Sequence, residues 1–156
     1  MSGFRKGLKQ GIFIPQNPNK WIITEAFDSK GTPQITYRSS WEKKFFTFMD
    51  LNDNIVKANS EGIVIPYISP IDDKPHRYYV DAVMETRDGI IWLIEIKPYS
   101  QCIPPKPPKN NSEKSKINYQ KAIMTYAVNQ AKWEAAQKYA DERGWRFKII
   151  TENELF

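Results

Sequence analysis

Residues 79–97 read YVDAVMETRDGIIWLIEIK, and this segment predicts a β-hairpin. Two runs rich in apolar and β-branched residues flank the Asp-Gly pair at 88–89, a dipeptide typical of tight hairpin turns. Side chains alternate along a strand, so Glu95 and Lys97 must lie on one face. Whether Asp81 joins them depends on the register of the hairpin.

Two loop lengths give opposite registers. A two-residue loop at 88–89 places Asp81 opposite Ile96, so that its side chain points away from Glu95. A three-residue loop, with Gly89 in the left-handed position of a bulge, places Asp81 opposite Glu95. The longer loop also gathers the apolar residues on one face, which burial favours. Those residues are Val80, Ala82, Met84, Trp92, Ile94 and Ile96. We therefore predict the three-residue loop.

This register places two carboxylates side by side, with an ammonium group one pleat away. Carboxylate oxygens suit Mg²⁺ or Mn²⁺, and such an ion polarises a phosphate and lowers the pKa of a bound water. Lys97 could orient the attacking water or neutralise charge that develops on the phosphorane. The alternative is a solvent-facing ion pair. The apolar run at 90–94 favours a buried central strand, where unpaired carboxylates are costly.

The remaining patterns predict an α/β domain in the order helix, three strands, helix, strand. A first helix is expected over 41–49, with Ser39 as its N-cap and Glu42 in a capping box. The strands are expected at 63–67, 77–85, 90–97 and 145–150, and a long helix at 112–143. Because the last strand returns through this helix, it should lie parallel to its neighbour. The long helix carries one mostly apolar stripe. Its members are Tyr119, Ile123, Tyr126, Gln130, Trp133, Gln137 and Ala140.

The N-terminal residues differ in character from the rest of the chain. Residues 1–35 contain several Gly and Pro and show little periodicity, which predicts an irregular basic arm. Residues 36–156 then form the folded domain. No apolar run approaches the roughly 20 residues of a membrane span, and no secretion signal is recognisable. We therefore expect a cytoplasmic protein without a membrane partner.

Charge favours nucleic acid as the partner. The 156-residue chain has a formal net charge of +5, which suits a polyanion. Lysines are concentrated after the hairpin, where they could follow a DNA backbone or simply form a solvated face. These are Lys106, Lys109, Lys114, Lys116 and Lys121, and Lys132 is a further candidate for a phosphate contact. With one His and one Cys, the chain lacks the ligands of a zinc or HNH nuclease.

At these residues the sequence resembles the PD-(D/E)xK nuclease superfamily, whose motif Asp81, Glu95 and Lys97 match. Val80 stands where the name of the superfamily has proline. The chain is more closely similar to head-completion nucleases of tailed phages and to the endonuclease subunit of heteromeric transposases. This similarity covers about residues 35–156 and lies in the segments 37–42, 76–81, 93–98, 129–133 and 150–152.

The resemblance implies a restriction-endonuclease-like core and metal-dependent cleavage of DNA during phage head completion, with phage head or neck proteins as partners. It further implies that the Ile96 backbone carbonyl joins the metal shell. Glu42 would complete the acidic cluster, unless it serves only as a capping residue, and Gln120 would lie near the metal and contact DNA. Two alternatives are a DNA-binding structural head-to-tail joining factor and a transposon- or restriction-type endonuclease. The DNA specificity and the oligomeric state, a homodimer included, stay open.

Overall fold

The structure is a computed structural model that describes residues 10–22, 26–27 and 33–156, with the backbone alone at 26–27 and 33–34. In chain order its elements are β1 (Gly11–Phe13), β2 (Ala26–Phe27), β3 (Pro33–Tyr37), α1 (Ser40–Leu51), β4 (Ile55–Ser60), β5 (Val64–Ile68), β6 (Pro75–Tyr79), β7 (Ala82–Thr86), β8 (Ile91–Ile96), α2 (Glu113–Arg143), β9 (Arg146–Ile150) and α3 (Glu152–Leu155). None of these helices is both long and apolar enough to cross a membrane.

The central sheet has the strand order β4–β7–β8–β9. The first three strands are antiparallel, and β9 runs parallel to β8 after the crossover through α2. The predicted order of helix, three antiparallel strands, helix and parallel strand is therefore confirmed. One strand was misassigned, because the first antiparallel strand is β4 and not the segment at 63–67. The sequence of β4 does not indicate a strand, because Lys57, Asn59 and Ser60 interrupt the apolar pattern. The register of β4 with β7 also shifts near the start of β4.

The predicted strand at 77–85 is in fact two strands. Its first half, β6, pairs with β5 in a separate two-stranded sheet, and its second half is β7. The break falls at Val80, whose amide donates a hydrogen bond to the Ile63 carbonyl at 3.2 Å. Val80 therefore packs with Leu93 on the α2 side of the sheet. The prediction that it shares a face with Ala82 and Met84 is wrong.

The hairpin between β7 and β8 has the predicted register. Ala82 pairs with Ile94 and Met84 with Trp92. The Thr86 amide donates to the Ile90 carbonyl at 3.0 Å, and Gly89 has φ +83°. That positive φ favours glycine, so residues 87–89 form the three-residue loop.

Two hydrophobic clusters cover the two faces of the sheet. Ala82, Ile94 and Ile96 point toward α1 and its residues Phe45 and Phe46. The other face carries Leu93 and packs against the C-terminal half of α2. The buried residues of α2 are Asn129, Trp133, Ala136 and Ala140. The apolar stripe predicted for α2 is therefore right at Trp133 and Ala140 but wrong at Ile123 and Gln137, which are exposed.

Helix α1 begins at its predicted N-cap, and the bounds of α2 agree with the predicted 112–143 to within one residue. The Ser39 hydroxyl accepts from the Glu42 amide at 3.1 Å, and α1 starts at Ser40. Helix α2 begins after the Ser112 cap and ends at Gly144, whose φ is +71°. A positive φ at this position is typical of a helix C-terminus.

The described part of the N-terminal arm is more regular than its composition predicts. Strand β1 pairs with β3, and the Phe13 and Trp21 rings pack edge to face against Phe46. Asp50, at the end of α1, accepts hydrogen bonds from the amides of Gln16 and Asn17 and from the Trp21 indole. These contacts fix the described part of the arm to α1.

Candidate active site

Asp81 and Glu95 form the centre of the site. They face each other where the β7–β8 register continues past Ala82 and Ile94. Glu95 is 5% exposed. Asp81 keeps some accessible surface, but its carboxyl group is withdrawn from water. Burial raises the pKa of Asp81 well above its usual value. The charge of Glu95 and a hydrogen bond between the two side chains raise this pKa further. The charge of Glu95 therefore opposes the ionisation of Asp81.

The break in the strand at Val80 shapes this site. In a continued ladder Val80 would pair with Ile96, but its amide is engaged with Ile63. The Ile96 amide donates instead to Asp81 Oδ2 at 2.8 Å. The N–H and C=O of one strand residue point to the same edge, so the Ile96 carbonyl also faces the side of Asp81.

Glu95 is held from the direction of α2. The Trp133 indole donates a hydrogen bond from Nε1 to Glu95 Oε2 at 2.9 Å, and both side chains are buried. Tyr78 is also buried here, and burial, followed by the charges of Glu95 and Asp81, raises its pKa well above the usual value. The Tyr78 hydroxyl lies close enough to Glu95 for that carboxylate to raise the pKa of Tyr78. No described residue, however, has the distance and angles of a full hydrogen bond to this hydroxyl.

Two lysines flank the carboxylates. Lys97 is 5% exposed and shares a strand face with Glu95, and its amide donates to the Ile150 carbonyl at 3.0 Å. The Lys132 Nζ lies 5.9 Å from the Tyr67 ring centroid and 5.8 Å from that of Tyr78, within cation–π range. Burial lowers the pKa of Lys132, the charge of Glu95 opposes this shift, and the charge of Lys97 adds to it. Lys132 thus lies within electrostatic reach of both carboxylates.

Glu42 approaches the pair from α1. It is buried, its Oε1 accepts from the Arg38 amide at 3.1 Å, and its charge also raises the pKa of Asp81. Within the ranges that the structure describes, no group of three or more His, Cys, Asp and Glu side chains is arranged to hold one metal ion. The available oxygen donors are thus the carboxylates of Asp81 and Glu95 and the Ile96 carbonyl, with Glu42 close to them.

Except for Lys132, the predicted DNA contacts lie on the N-terminal end of α2 and on the loop before it. Lys106, Lys109, Lys114, Lys116 and Gln120 are all exposed. Gln120 precedes Trp133 by 13 residues in one continuous helix, which is roughly 20 Å along the axis. Because Trp133 contacts Glu95, Gln120 lies far from the carboxylates, near which the resemblance had placed it. Lys132 lies beside them instead.

Comparisons with known proteins show the family of this chain. The model of the "TnsA-like endonuclease N terminal" family matches residues 52–152. This chain belongs to that family of nucleases. It is also 40% identical over 137 residues to the head completion nuclease of Enterobacteria phage T4, with 87% of this chain and 91% of that protein covered. The resemblance to PD-(D/E)xK nucleases is thereby confirmed.

The part of the chain that matches this nuclease family contains Asp81, Glu95 and Lys97 but not Glu42. It also contains two residues that sequence reasoning did not place in the site, Tyr78 and Trp133. Trp133 belongs to a segment that we had compared with relatives, but its helical spacing suggested only a core residue. A cavity of about 660 Å³ lies on the α1 face and is lined by Phe45, Trp92 and others, away from the carboxylates. Neither Asp81 nor Glu95 lines this cavity.

Proposed function

We propose that this nuclease is a metal-dependent DNA endonuclease that hydrolyses phosphodiester bonds through Asp81, Glu95 and Lys97. The observation that carries this proposal is the contact between the Asp81 and Glu95 carboxyl groups beside a buried lysine. Two such groups in contact are unfavourable when both are ionised. A cation bound between them would remove that cost.

The residues present suit Mg²⁺ or Mn²⁺. Asp81, Glu95 and the Ile96 carbonyl would hold the ion, and Glu42 would add charge from α1. All these donors are oxygen atoms, and Mg²⁺ commonly binds through one or two carboxylates while keeping several waters. The bound ion would polarise the scissile phosphate and lower the pKa of a water.

The protein side chains would divide the remaining work. The Lys97 ammonium would either orient the attacking water or donate to the phosphate oxygens as negative charge develops on them. Lys132 would supply a second cation on the α2 side of the pair. Tyr78, whose raised pKa keeps its hydroxyl protonated, could donate a hydrogen bond but not accept the proton of the water.

DNA would be held mainly through its backbone. Four exposed lysines lie between β8 and Lys132 in the sequence, on the loop and the first turns of α2. They are Lys106, Lys109, Lys114 and Lys116. Lysines contact phosphates without reading sequence. We infer broad rather than base-specific binding from this surface, and Gln120 would extend it along α2.

The biological setting follows from the T4 relative, whose name is head completion nuclease. We propose the same setting for this chain: cleavage of DNA during phage head completion, in the host cytoplasm, with head or neck proteins as partners. A transposon- or restriction-type role is less favoured, since the similarity to the T4 protein covers most of both chains.

The decisive experiment is a cleavage assay on supercoiled, linear and branched DNA with Mg²⁺, Mn²⁺ or EDTA. Wild-type protein should cut with either metal and stop in EDTA. Glu95→Gln, which keeps the shape of the side chain and removes its charge, serves as the matched inactive variant. Undiminished cutting in EDTA, or by Glu95→Gln, would contradict the proposal. Binding of DNA without cutting under all conditions would favour a structural joining factor.

A further inference from the structure

The Trp133 indole makes a polar contact inside the core, and its partner is a carboxylate of the candidate site. Its Nε1 donates to Glu95 Oε2 at 2.9 Å, and Trp133 is 7% exposed. A buried indole N–H needs an acceptor. In this structure the acceptor is a carboxylate that faces Asp81, and not a backbone carbonyl. The contact joins α2 to β8 across 38 positions of sequence.

We propose that Trp133 is a positioning residue that fixes the Glu95 carboxylate for metal binding. The inference rests on the proposed function, because it assumes that Glu95 is a metal ligand. One carboxylate oxygen is engaged by Nε1, so rotation of the carboxyl group is restricted and the other oxygen is left for the ion. Hydrogen bonds to a metal-binding carboxylate orient it, and removing such an outer partner commonly lowers metal affinity by about 10–100-fold.

The surroundings of the indole make this restraint effective. Val80 and Leu93 are fully buried in the same cluster as Trp133, and Ala136 packs on the next turn of α2. A ring enclosed in this way has few alternative orientations. Glu95 is also flanked by Tyr78, which limits its movement on another side. Because the core holds the Trp133 ring in place on α2, its hydrogen bond holds the Glu95 carboxylate in place as well.

The test separates loss of the hydrogen bond from loss of the core side chain. Trp133→Phe keeps an aromatic ring without the N–H. A second variant carries at position 133 the benzothienyl amino acid, in which sulfur replaces the indole N–H at nearly constant shape. Trp145→Phe is the matched control: Trp145 packs in the same cluster, but its ring partner is Tyr139.

Mn²⁺ affinity is measured by titration calorimetry, and plasmid cleavage is measured across a range of Mn²⁺ concentrations. Both position-133 variants should bind Mn²⁺ about 10–100-fold more weakly, and saturating Mn²⁺ should largely restore cleavage. Trp145→Phe should bind Mn²⁺ like wild type. Wild-type Mn²⁺ affinity in the benzothienyl variant would overturn the role of Trp133 and leave the proposed function intact. Wild-type protein that neither binds Mn²⁺ nor cuts DNA would overturn both.

Discussion

The Asp81 carboxylate accepts a 2.8 Å hydrogen bond from the Ile96 amide, where a continued β7–β8 ladder would have used the backbone of Val80. The Val80 amide donates instead to Ile63, as the chain leaves the central sheet for the β5–β6 sheet. A side chain thus replaces a backbone partner at the end of the hairpin. The change of sheet at Val80 therefore fixes the Asp81 side chain and also turns it toward Glu95.

Replacing Asp81 by Asn should separate stability from activity. Asp81→Asn removes the repulsion between the two carboxylates, so in EDTA the variant should melt at the same temperature as wild type or higher. With Mn²⁺ at 100 times its Kd, wild type should gain about 2.7 kcal/mol, whereas the variant should gain much less and lose cleavage. Thermal melts with and without Mn²⁺, beside a plasmid-nicking assay, provide the comparison. Normal cutting by Asp81→Asn would show that Asp81 is not a ligand.

The raised pKa of Asp81 also predicts the pH dependence of the metal-free protein. The pKa of an unfolded Asp is about 3.9, and burial and the charge of Glu95 raise the pKa of Asp81 in the folded protein. Between these two values the folded state binds more protons than the unfolded state, so stability should fall as pH rises through that window. The slope contributed by one group cannot exceed about 1.4 kcal/mol per pH unit. Urea unfolding of the wild type in EDTA at several pH values should show this fall in stability. The same fall in Asp81→Asn would show that Asp81 is not its cause.

The sequence predicted those parts of the site that depend on local patterns. The pairing of Asp81 with Glu95 followed from the three-residue loop, because only that register places Ala82 and Met84 on the same face as Trp92 and Ile94. The bounds of α2 followed from its helical pattern and from Gly144, since a glycine just past a helix is a local stop signal.

Other features depend on tertiary contacts that no local pattern encodes. The apolar alternation continues through Val80, so nothing in the sequence marks the point where the chain changes sheets. Strand β4 carries Asn59 and Ser60 at buried positions, which a hydrophobic pattern assigns to a loop. Trp133 has the spacing of a core residue, and its acceptor becomes evident only when α2 is placed on β8.

Lys97 should affect the chemical step more than metal binding. Lys97→Ala leaves both carboxylates in place, so Mn²⁺ should still bind, but cleavage should slow by about 100-fold or more. Lys97→Met is the better matched variant, because Lys97 is buried and methionine fills much of the same space. Single-turnover cleavage at saturating Mn²⁺ measures the step directly. Full activity of Lys97→Met beside inactive Asp81→Asn would leave the metal site intact and remove the catalytic role of the lysine.

The exposed lysines that follow β8 should strengthen the binding of DNA of any sequence. A variant with all four lysines neutralised, at positions 106, 109, 114 and 116, should bind several unrelated duplexes more weakly. The slope of log K against log salt should flatten by up to about 0.9 for each duplex phosphate contact that is lost. Neutralising four exposed lysines elsewhere changes the net charge equally, and Lys44, Lys57, Lys138 and Lys148 serve as that control. Equal effects of the two variants would assign the first set to a merely solvated surface.

Glu42 has two roles that one pair of variants can separate. Its amide is capped by Ser39, whereas its carboxylate accepts from Arg38 and acts electrostatically on Asp81. Ser39→Ala should therefore lower the free energy of unfolding by about 0.5–2 kcal/mol while leaving cleavage nearly unchanged. Glu42→Gln keeps the backbone N–H that Ser39 caps and much of the side-chain shape, so its stability should change less.

If Glu42 completes the acidic cluster, Glu42→Gln should weaken Mn²⁺ binding and reduce cleavage, and the loss should lessen as Mn²⁺ is raised. Calorimetric Mn²⁺ titration and plasmid nicking, compared with unfolding curves for both variants, test this directly. Cleavage at the wild-type rate by Glu42→Gln would restrict Glu42 to the start of α1. A loss of cleavage by Ser39→Ala matching that of Glu42→Gln would instead indicate that the position of the helix, and not the charge of the carboxylate, controls the site.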